Sequence, residues 1–75
     1  MDIDAFVTAH RPQWDRLEDL VRRRRSLDGV EVDELVDLYQ RVATHLSIVR
    51  SHAPHSPLVG QLSARVARAR SAVTG

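Results

Sequence analysis

The chain has 75 residues, of which 11 are basic and 10 are acidic, so its formal net charge is +1. A chain of this length forms one domain, and folding buries only about 60% of the surface that the unfolded chain exposes. The absence of cysteine excludes disulfides, thiolate metal sites and cysteine nucleophiles. No apolar run approaches the roughly 20 residues that cross a bilayer, and the acidic N-terminus is unlike a signal peptide. We therefore expect a soluble domain with little room for an enclosed active site.

Charge is distributed unevenly along the chain. Residues 1–37 contain all ten acids and six arginines, whereas residues 38–75 contain five arginines and no acid. A basic half without acids is typical of chains that bind an anionic partner. The alternative interpretation, which we favour, is that the two halves neutralise each other within the fold.

Apolar residues recur with helical spacing near the N-terminus, at positions 3, 7, 14, 17 and 21, and His10 fills the missing step. This spacing predicts a first helix that is capped by Asp2 or Asp4 and closed by the run Arg22–Arg25. Pro12 interrupts the pattern, because proline lacks the N–H that an interior helical bond needs. Two outcomes stay open: one helix that is kinked near Pro12, which the continuous phase favours, or a short helix followed by a second one.

A second apolar stripe keeps an unbroken heptad phase, which predicts a helix over roughly residues 31–52. Gly29 is expected to act as a helix stop before it. Two prolines separate this helix from a third stripe, which begins with Ser56 as N-cap and Pro57 as the first helical residue. No segment alternates with the period of a strand.

Three amphipathic helices with short connections predict an all-α fold, an antiparallel three-helix bundle that forms a single domain over residues 1–75. In this arrangement the Arg22–Arg25 run and the arginines of the third helix surround the acids between Glu31 and Asp37 at one pole. The expected core residues are Phe6, Trp14, Leu17, Leu35, Tyr39, Val42, Leu46, Val49, Leu62 and Val66.

Little in the sequence indicates chemistry. The histidines lack zinc-pair spacing, since His45 and His52 are seven residues apart and about 10 Å of helical rise separates them. We interpret these two, with His10 and His55, as ordinary surface or half-buried residues. The second half has serines and histidines but no carboxylate for a nucleophilic triad. We therefore expect no enzyme, and no catalytic residue, metal ligand, cofactor or small-molecule substrate.

The candidate partner-binding residues are arginines. The run Arg22–Arg25 could bind phosphates, but the aromatic residues lie on apolar stripes, and nucleic-acid binders usually add aromatic stacking or a recognition helix. A small arginine-rich nucleic-acid-binding protein is therefore the alternative function. A protein partner or self-association is favoured, because heptad phasing also suits contact between chains. The candidates are Arg22, Arg23, Arg24, Arg25, Arg65, Arg68 and Arg70.

The order of several short patterns adds a more specific expectation. LYQR, HL, VR and ARVARAR, together with the N-terminal DAFV and HRPQWDRL, are similar to the cytoplasmic N-terminal region of the stage II sporulation protein M family, in its actinobacterial branch. The resemblance covers nearly the whole chain. Its residues are Asp4–Val7, His10–Leu17, Leu38–Ser47, Val49, Arg50, Pro54, Leu62, Val66–Arg70, Val73 and Gly75.

The resemblance implies a place and a role. Members of that family are multi-pass integral membrane proteins with a soluble helical N-terminal domain, and the namesake acts in endospore engulfment with peptidoglycan-remodelling enzymes. The implied function is a non-catalytic protein-interaction module on the cytoplasmic face of the cell membrane. This chain departs from the family because it has no transmembrane segment. Since Gly75 directly follows a helix stripe, we expect the soluble N-terminal part of a longer membrane protein; the alternative is a free-standing relative.

Overall fold

The structure, a computed structural model, describes residues 1–75. It consists of three helices: α1 spans Ile3–Arg22, α2 spans Gly29–His52 and α3 spans Pro57–Thr74. Each helix packs against the other two, and no residue lies in a strand. The prediction of an all-α fold with three packed helices is confirmed. None of the helices combines the length and the apolar composition that a membrane span requires.

Each helix begins at a polar cap that the sequence encodes. Asp2 accepts a hydrogen bond from the backbone N–H of Ala5 at 3.1 Å, and Ser56 caps α3 through its hydroxyl. Asp28 forms a capping box, in which its carboxylate accepts the N–H of Glu31 at 2.8 Å and the Glu31 carboxylate accepts the N–H of Asp28 at 3.3 Å. These side chains satisfy backbone N–H groups that have no partner within the helix.

The structure differs from the expectation at Gly29 and excludes one of the two outcomes left open at Pro12. Gly29 does not stop a helix but is the first residue of α2, because α1 already ends at Arg22 and Asp28 supplies the cap. The split at Pro12 is also absent, since α1 continues through this residue as one helix. Pro12 and Thr8, the residue whose carbonyl loses its donor, are both exposed, so water can replace the missing bond.

The core lies where the three helices meet. The predicted core residues that are buried are Trp14, Leu17, Leu35, Val42, Leu46, Val49 and Leu62. Phe6, Tyr39 and Val66 are only half-buried at its edge. Because every helix contacts two others, the buried face is wider than a single stripe. It therefore also includes Leu20, Leu38 and Leu58, which lie beside the stripes, as well as Ala69, which lies on the third stripe.

Candidate functional site

Five of the candidate arginines come together at the end of the bundle where α1 terminates. A cleft of about 360 Å³ between α1 and α3 contains four of them, together with Glu18 and Val21. The fifth, Arg25, adjoins them in the short connection after α1 and also lies near Gly75 at the end of α3. We call this set the arginine pole: Arg22, Arg24, Arg25, Arg65 and Arg68.

An ionic network fastens the end of α1 to the start of α2. Arg16 donates to both carboxylate oxygens of Glu34, at 2.9 and 2.8 Å, and Arg23 donates to Asp19 at 2.9 Å and to Glu31 at 3.0 Å. The hydrogen bond from Arg16 lowers the pKa of Glu34, and that from Arg23 lowers the pKa of Asp19. Arg23, a predicted partner-binding residue, is thus engaged within the fold.

Two arginines of α3, Arg65 and Arg68, pair with α1, which corrects the predicted arrangement around the acids between Glu31 and Asp37. Arg68 donates to Oε1 of Glu18 at 2.8 Å, and Nε of Arg65 lies 3.5 Å from the same oxygen. That Arg65 nitrogen is buried without a hydrogen-bond partner, because the long contact is an ion pair only. Glu18 therefore pairs with two guanidinium groups, whereas Glu31 pairs with Arg16 and Arg23.

Positive charge is in excess at this end of the molecule. Arg24 and Arg25 have no carboxylate partner, and five further arginines share the four carboxylates of Glu18, Asp19, Glu31 and Glu34. When Asp28 and Asp33, which lie at the same end at the start of α2, are included, seven arginines face six carboxylates, so the excess is one positive charge. The side chain of Arg22 is 75% exposed, and that of Arg68 is 54% exposed. An exposed surplus of positive charge attracts anionic partners.

The remaining candidate, Arg70, lies on a different surface. It adjoins an open groove of about 500 Å³ between α2 and α3, which we call the α2–α3 groove. The groove is lined by half-buried Tyr39 and Val66, by buried Leu46, and by Arg50. Arg50 and Arg70 are exposed, and neither is in an ion pair. The groove thus combines apolar side chains with two free cations.

Sequence reasoning missed a buried cluster near the start of α1. Trp14 donates from its indole Nε1 to Nδ1 of His45 at 3.0 Å. The His10 ring centroid lies 4.1 Å from that of His45, and the Phe6 centroid lies 4.6 Å from that of His10. We call these four residues the aromatic cluster. His45 is only 8% exposed, and burial above all, followed by the charges of His10 and Arg41, lowers its pKa.

A signal for this cluster exists in the sequence. His45 lies three residues after Val42 and four before Val49, so it shares their buried helix face, and His10 occupies an apolar stripe position of α1. Because Nδ1 of His45 accepts a hydrogen bond, the ring is neutral with its proton on Nε2. No group of three histidines or carboxylates that could hold a metal occurs here or elsewhere. The aromatic cluster therefore contributes packing, and protonation of His45 at low pH would disturb it.

Comparison with known proteins identifies a family without an assigned activity. A search of curated proteins and a search of solved structures each gave no significant match. The model of a family described as a domain of unknown function, DUF8413, matches residues 4–75. The matched range includes α2, α3 and all of α1 except its first residue. The chain therefore belongs to the DUF8413 family.

Proposed function

We propose that this chain is a non-catalytic, cytoplasmic protein-interaction module of an integral membrane protein similar to stage II sporulation protein M. The sequence resemblance over nearly the whole chain supports the membrane protein as parent. The observation that carries the interaction role is the α2–α3 groove, where apolar side chains lie beside the unpaired cations Arg50 and Arg70. Surfaces of this composition suit a protein ligand that supplies both apolar area and carboxylates.

The proposal includes an up-down-up arrangement of antiparallel helices. The connections between successive helices are short, at residues 23–28 and 53–56, which favours reversal of direction at each. A kink of α1 near Pro12 belongs to the same proposal and is supported by the backbone hydrogen bond that proline cannot make. Contacts between α1 and α2 support the antiparallel arrangement, because the α2 number falls as the α1 number rises. These pairs are Trp14 with His45, Arg16 with Glu34, and Arg23 with Glu31.

The occupant that fits the α2–α3 groove is an acidic amphipathic helix of a partner protein. Its apolar face would cover Val66 and Leu46, and its carboxylates would pair with Arg50 and Arg70. Small side chains at the groove, such as Ala67, leave room for a helix backbone to approach. A second copy of this chain is the alternative occupant, because the heptad phasing of α2 also suits contact between chains.

Site-specific crosslinking in cells tests the interaction role. A photocrosslinking residue replaces Ala67 in the full-length gene product, and the matched control replaces Ala9, an exposed alanine of α1 outside the groove. We expect a discrete crosslinked protein from position 67 only, and its loss when Arg50→Glu and Arg70→Glu are combined. Equal products from both positions, or none from position 67, would contradict the proposal. A crosslink to a second copy would assign the groove to self-association.

The membrane parent is tested by the gene sequence that follows the codon of Gly75. We expect hydrophobic segments of about 20 residues there, since this is the length that spans a bilayer. An immediate stop codon would be strong evidence against the membrane protein while leaving the groove to be tested by crosslinking.

A further inference from the structure

We infer that the arginine pole binds the surface of an anionic lipid bilayer, so that this end of the bundle faces the membrane. The inference deepens the proposed function and rests on it for the presence of a membrane close to the domain. It nevertheless concerns a surface of this chain alone, and it can be tested on the isolated chain.

The fold leaves positive charge uncompensated at the arginine pole. Arg24 and Arg25 have no carboxylate partner, and Glu18 is divided between Arg65 and Arg68. Arg22 is three-quarters exposed and holds Asp19 only by a 3.4 Å contact. Clusters of four to eight basic residues bind anionic lipid surfaces, and each contributes about fivefold to partitioning near the surface.

The molecule is elongated, and the arginine pole lies toward one of its ends. The molecule measures 37 × 21 × 15 Å, and α2 alone, with 24 residues, extends about 36 Å, so the helices run along the long axis. The arginine pole therefore lies toward one end of the long axis, with Arg65 and Arg68 on the side of the bundle, about 14 and 9 Å of helical rise before the end of α3. Arg24 and Arg25 lie beyond the last residue of α1, at the edge of this end.

The side chains around the arginine pole favour lipid over nucleic acid as its ligand. Val30 is 78% exposed and lies in the first turn of α2, at the same end of the bundle as the arginine pole. An exposed apolar side chain beside arginines gains by insertion at the boundary between headgroups and acyl chains. No aromatic side chain lines the clefts of the arginine pole, so bases would find no stacking platform there.

Gly75 lies beside the arginine pole. This residue shares a cleft with Arg24, Arg25 and Ser71. A transmembrane continuation, which the proposed function expects, would leave the bundle at the arginine pole and enter the bilayer beside it. Arginines next to a span are characteristic of its cytoplasmic side.

Vesicle flotation with matched variants tests this inference. The purified chain is mixed with phosphatidylcholine vesicles with or without phosphatidylglycerol. We expect binding only to the vesicles that contain phosphatidylglycerol, and release as the ionic strength rises. The test variant combines Arg24→Gln and Arg25→Gln, which touches no ion pair of the structure. The control combines Arg11→Gln and Arg41→Gln, two exposed arginines away from the arginine pole and the α2–α3 groove, with the same change in net charge; Arg41→Gln also removes an exposed ion pair with Asp37.

The test variant is expected to bind roughly 30-fold more weakly than the wild type, and the control at most a few-fold more weakly. Val30→Ser should weaken binding about threefold, because it removes apolar area and no charge. Circular dichroism confirms that each variant is folded before it is compared.

Three outcomes would overturn the inference: no binding to anionic vesicles at low salt, equal losses in the test and control variants, or tighter binding to a nucleic-acid duplex than to vesicles at equal phosphate concentration. The last would assign the arginine pole to nucleic acid. These failures leave the α2–α3 groove untouched, whereas loss of the groove crosslink with intact vesicle binding would refute the protein contact alone.

Discussion

The two halves of α1 are held against α2 by different kinds of contact. The first half contributes Phe6, His10 and Trp14 to the aromatic cluster, where the rings lie 4.1–6.2 Å apart and one buried hydrogen bond reaches α2. The second half contributes Arg16, and Arg23 follows directly at the C-cap; both side chains are about 40% exposed and bind carboxylates of α2. The helix is continuous, but buried ring contacts hold its first half against α2, whereas partly exposed ion pairs hold its second half.

This difference separates stability from recognition. Buried aromatic side chains contribute large apolar areas and specific ring contacts, whereas exposed ion pairs contribute little because water and salt screen them. We therefore expect the aromatic cluster to hold the domain together, and the ionic end to orient α1 while leaving charge for a partner. The predictions below run from the largest expected effect on stability to the smallest.

Trp14→Ala is expected to have the largest effect. It removes a side chain that is 2% exposed and leaves Nδ1 of His45 without its donor. Such truncations cost about 3–5 kcal/mol, which is about the whole stability of a domain this small. Circular dichroism should show a largely unfolded chain at room temperature. A cooperative transition near that of the wild type would show that the aromatic cluster is not the main source of stability.

Leu46→Ala, next to the aromatic cluster on α2, should cost about 2–5 kcal/mol, because the side chain is only 8% exposed and packs in the core. Urea unfolding measures the change. The matched control is Ile48→Ala on the same helix, where the side chain is 36% exposed and the loss should stay within about 0.5–1 kcal/mol. Similar losses in both variants would contradict the packing described here.

Trp14→Phe separates the hydrogen bond from the packing. The ring is largely retained, but the buried Nδ1 of His45 loses its donor, which should cost about 1–3 kcal/mol. Adding His45→Leu removes the unsatisfied acceptor, so the double variant should recover part of the lost stability. If the double variant is instead as unstable as the sum of the two single variants, the hydrogen bond is not coupled to the fold.

Stability should fall as the pH is lowered through the mildly acidic range. The pKa of His45 is lowered in the folded state, so its neutral form favours folding, and protonation of the unfolded chain begins near the ordinary value of 6.5. The loss therefore starts near that pH and continues down to the lower pKa of the folded state. Because the pKa values of Asp19 and Glu34 are also lowered, a second loss follows as these carboxylates protonate at still lower pH.

Urea unfolding over a series of pH values measures both losses. The variant that combines Trp14→Phe with His45→Leu provides the control for the first, since it should keep only the loss at lower pH. A wild-type profile that is flat in the mildly acidic range would contradict the assignment to His45.

Arg23→Ala is expected to have the smallest effect, below that of every core substitution, because its ion pairs with Asp19 and Glu31 are partly exposed. The loss should shrink further as salt is added. Arg25→Ala, which removes a guanidinium without a carboxylate partner, is the control and should leave thermal unfolding unchanged. A loss of stability in Arg23→Ala as large as that in Leu46→Ala would contradict the comparison between the two halves of α1.

Much of the fold follows from local rules and was predictable. The cap at Ser56 and the position of Pro57 depend on residues within one helical turn, so the sequence sufficed to place them, whereas it left the first cap open between Asp2 and Asp4. The expectation of a stop at Gly29 was wrong, because Asp28 caps α2 with a capping box and Gly29 becomes its first residue. The sequence left a kink or a split open at Pro12, and the helix continues there because the surrounding helix face is exposed.

The sequence by itself determined that this chain forms three amphipathic helices and that its second half carries arginines but no acids, because helical periodicity and charge depend on residues close together in the sequence. Only the tertiary structure decided that His45 accepts a hydrogen bond from Trp14, that Arg65 and Arg68 turn to Glu18, and that Arg70 lies apart from the arginine pole. Those contacts depend on the rotation and register of one helix against another. That geometry is set by the packing of all three helices together, and no short stretch of the sequence encodes it.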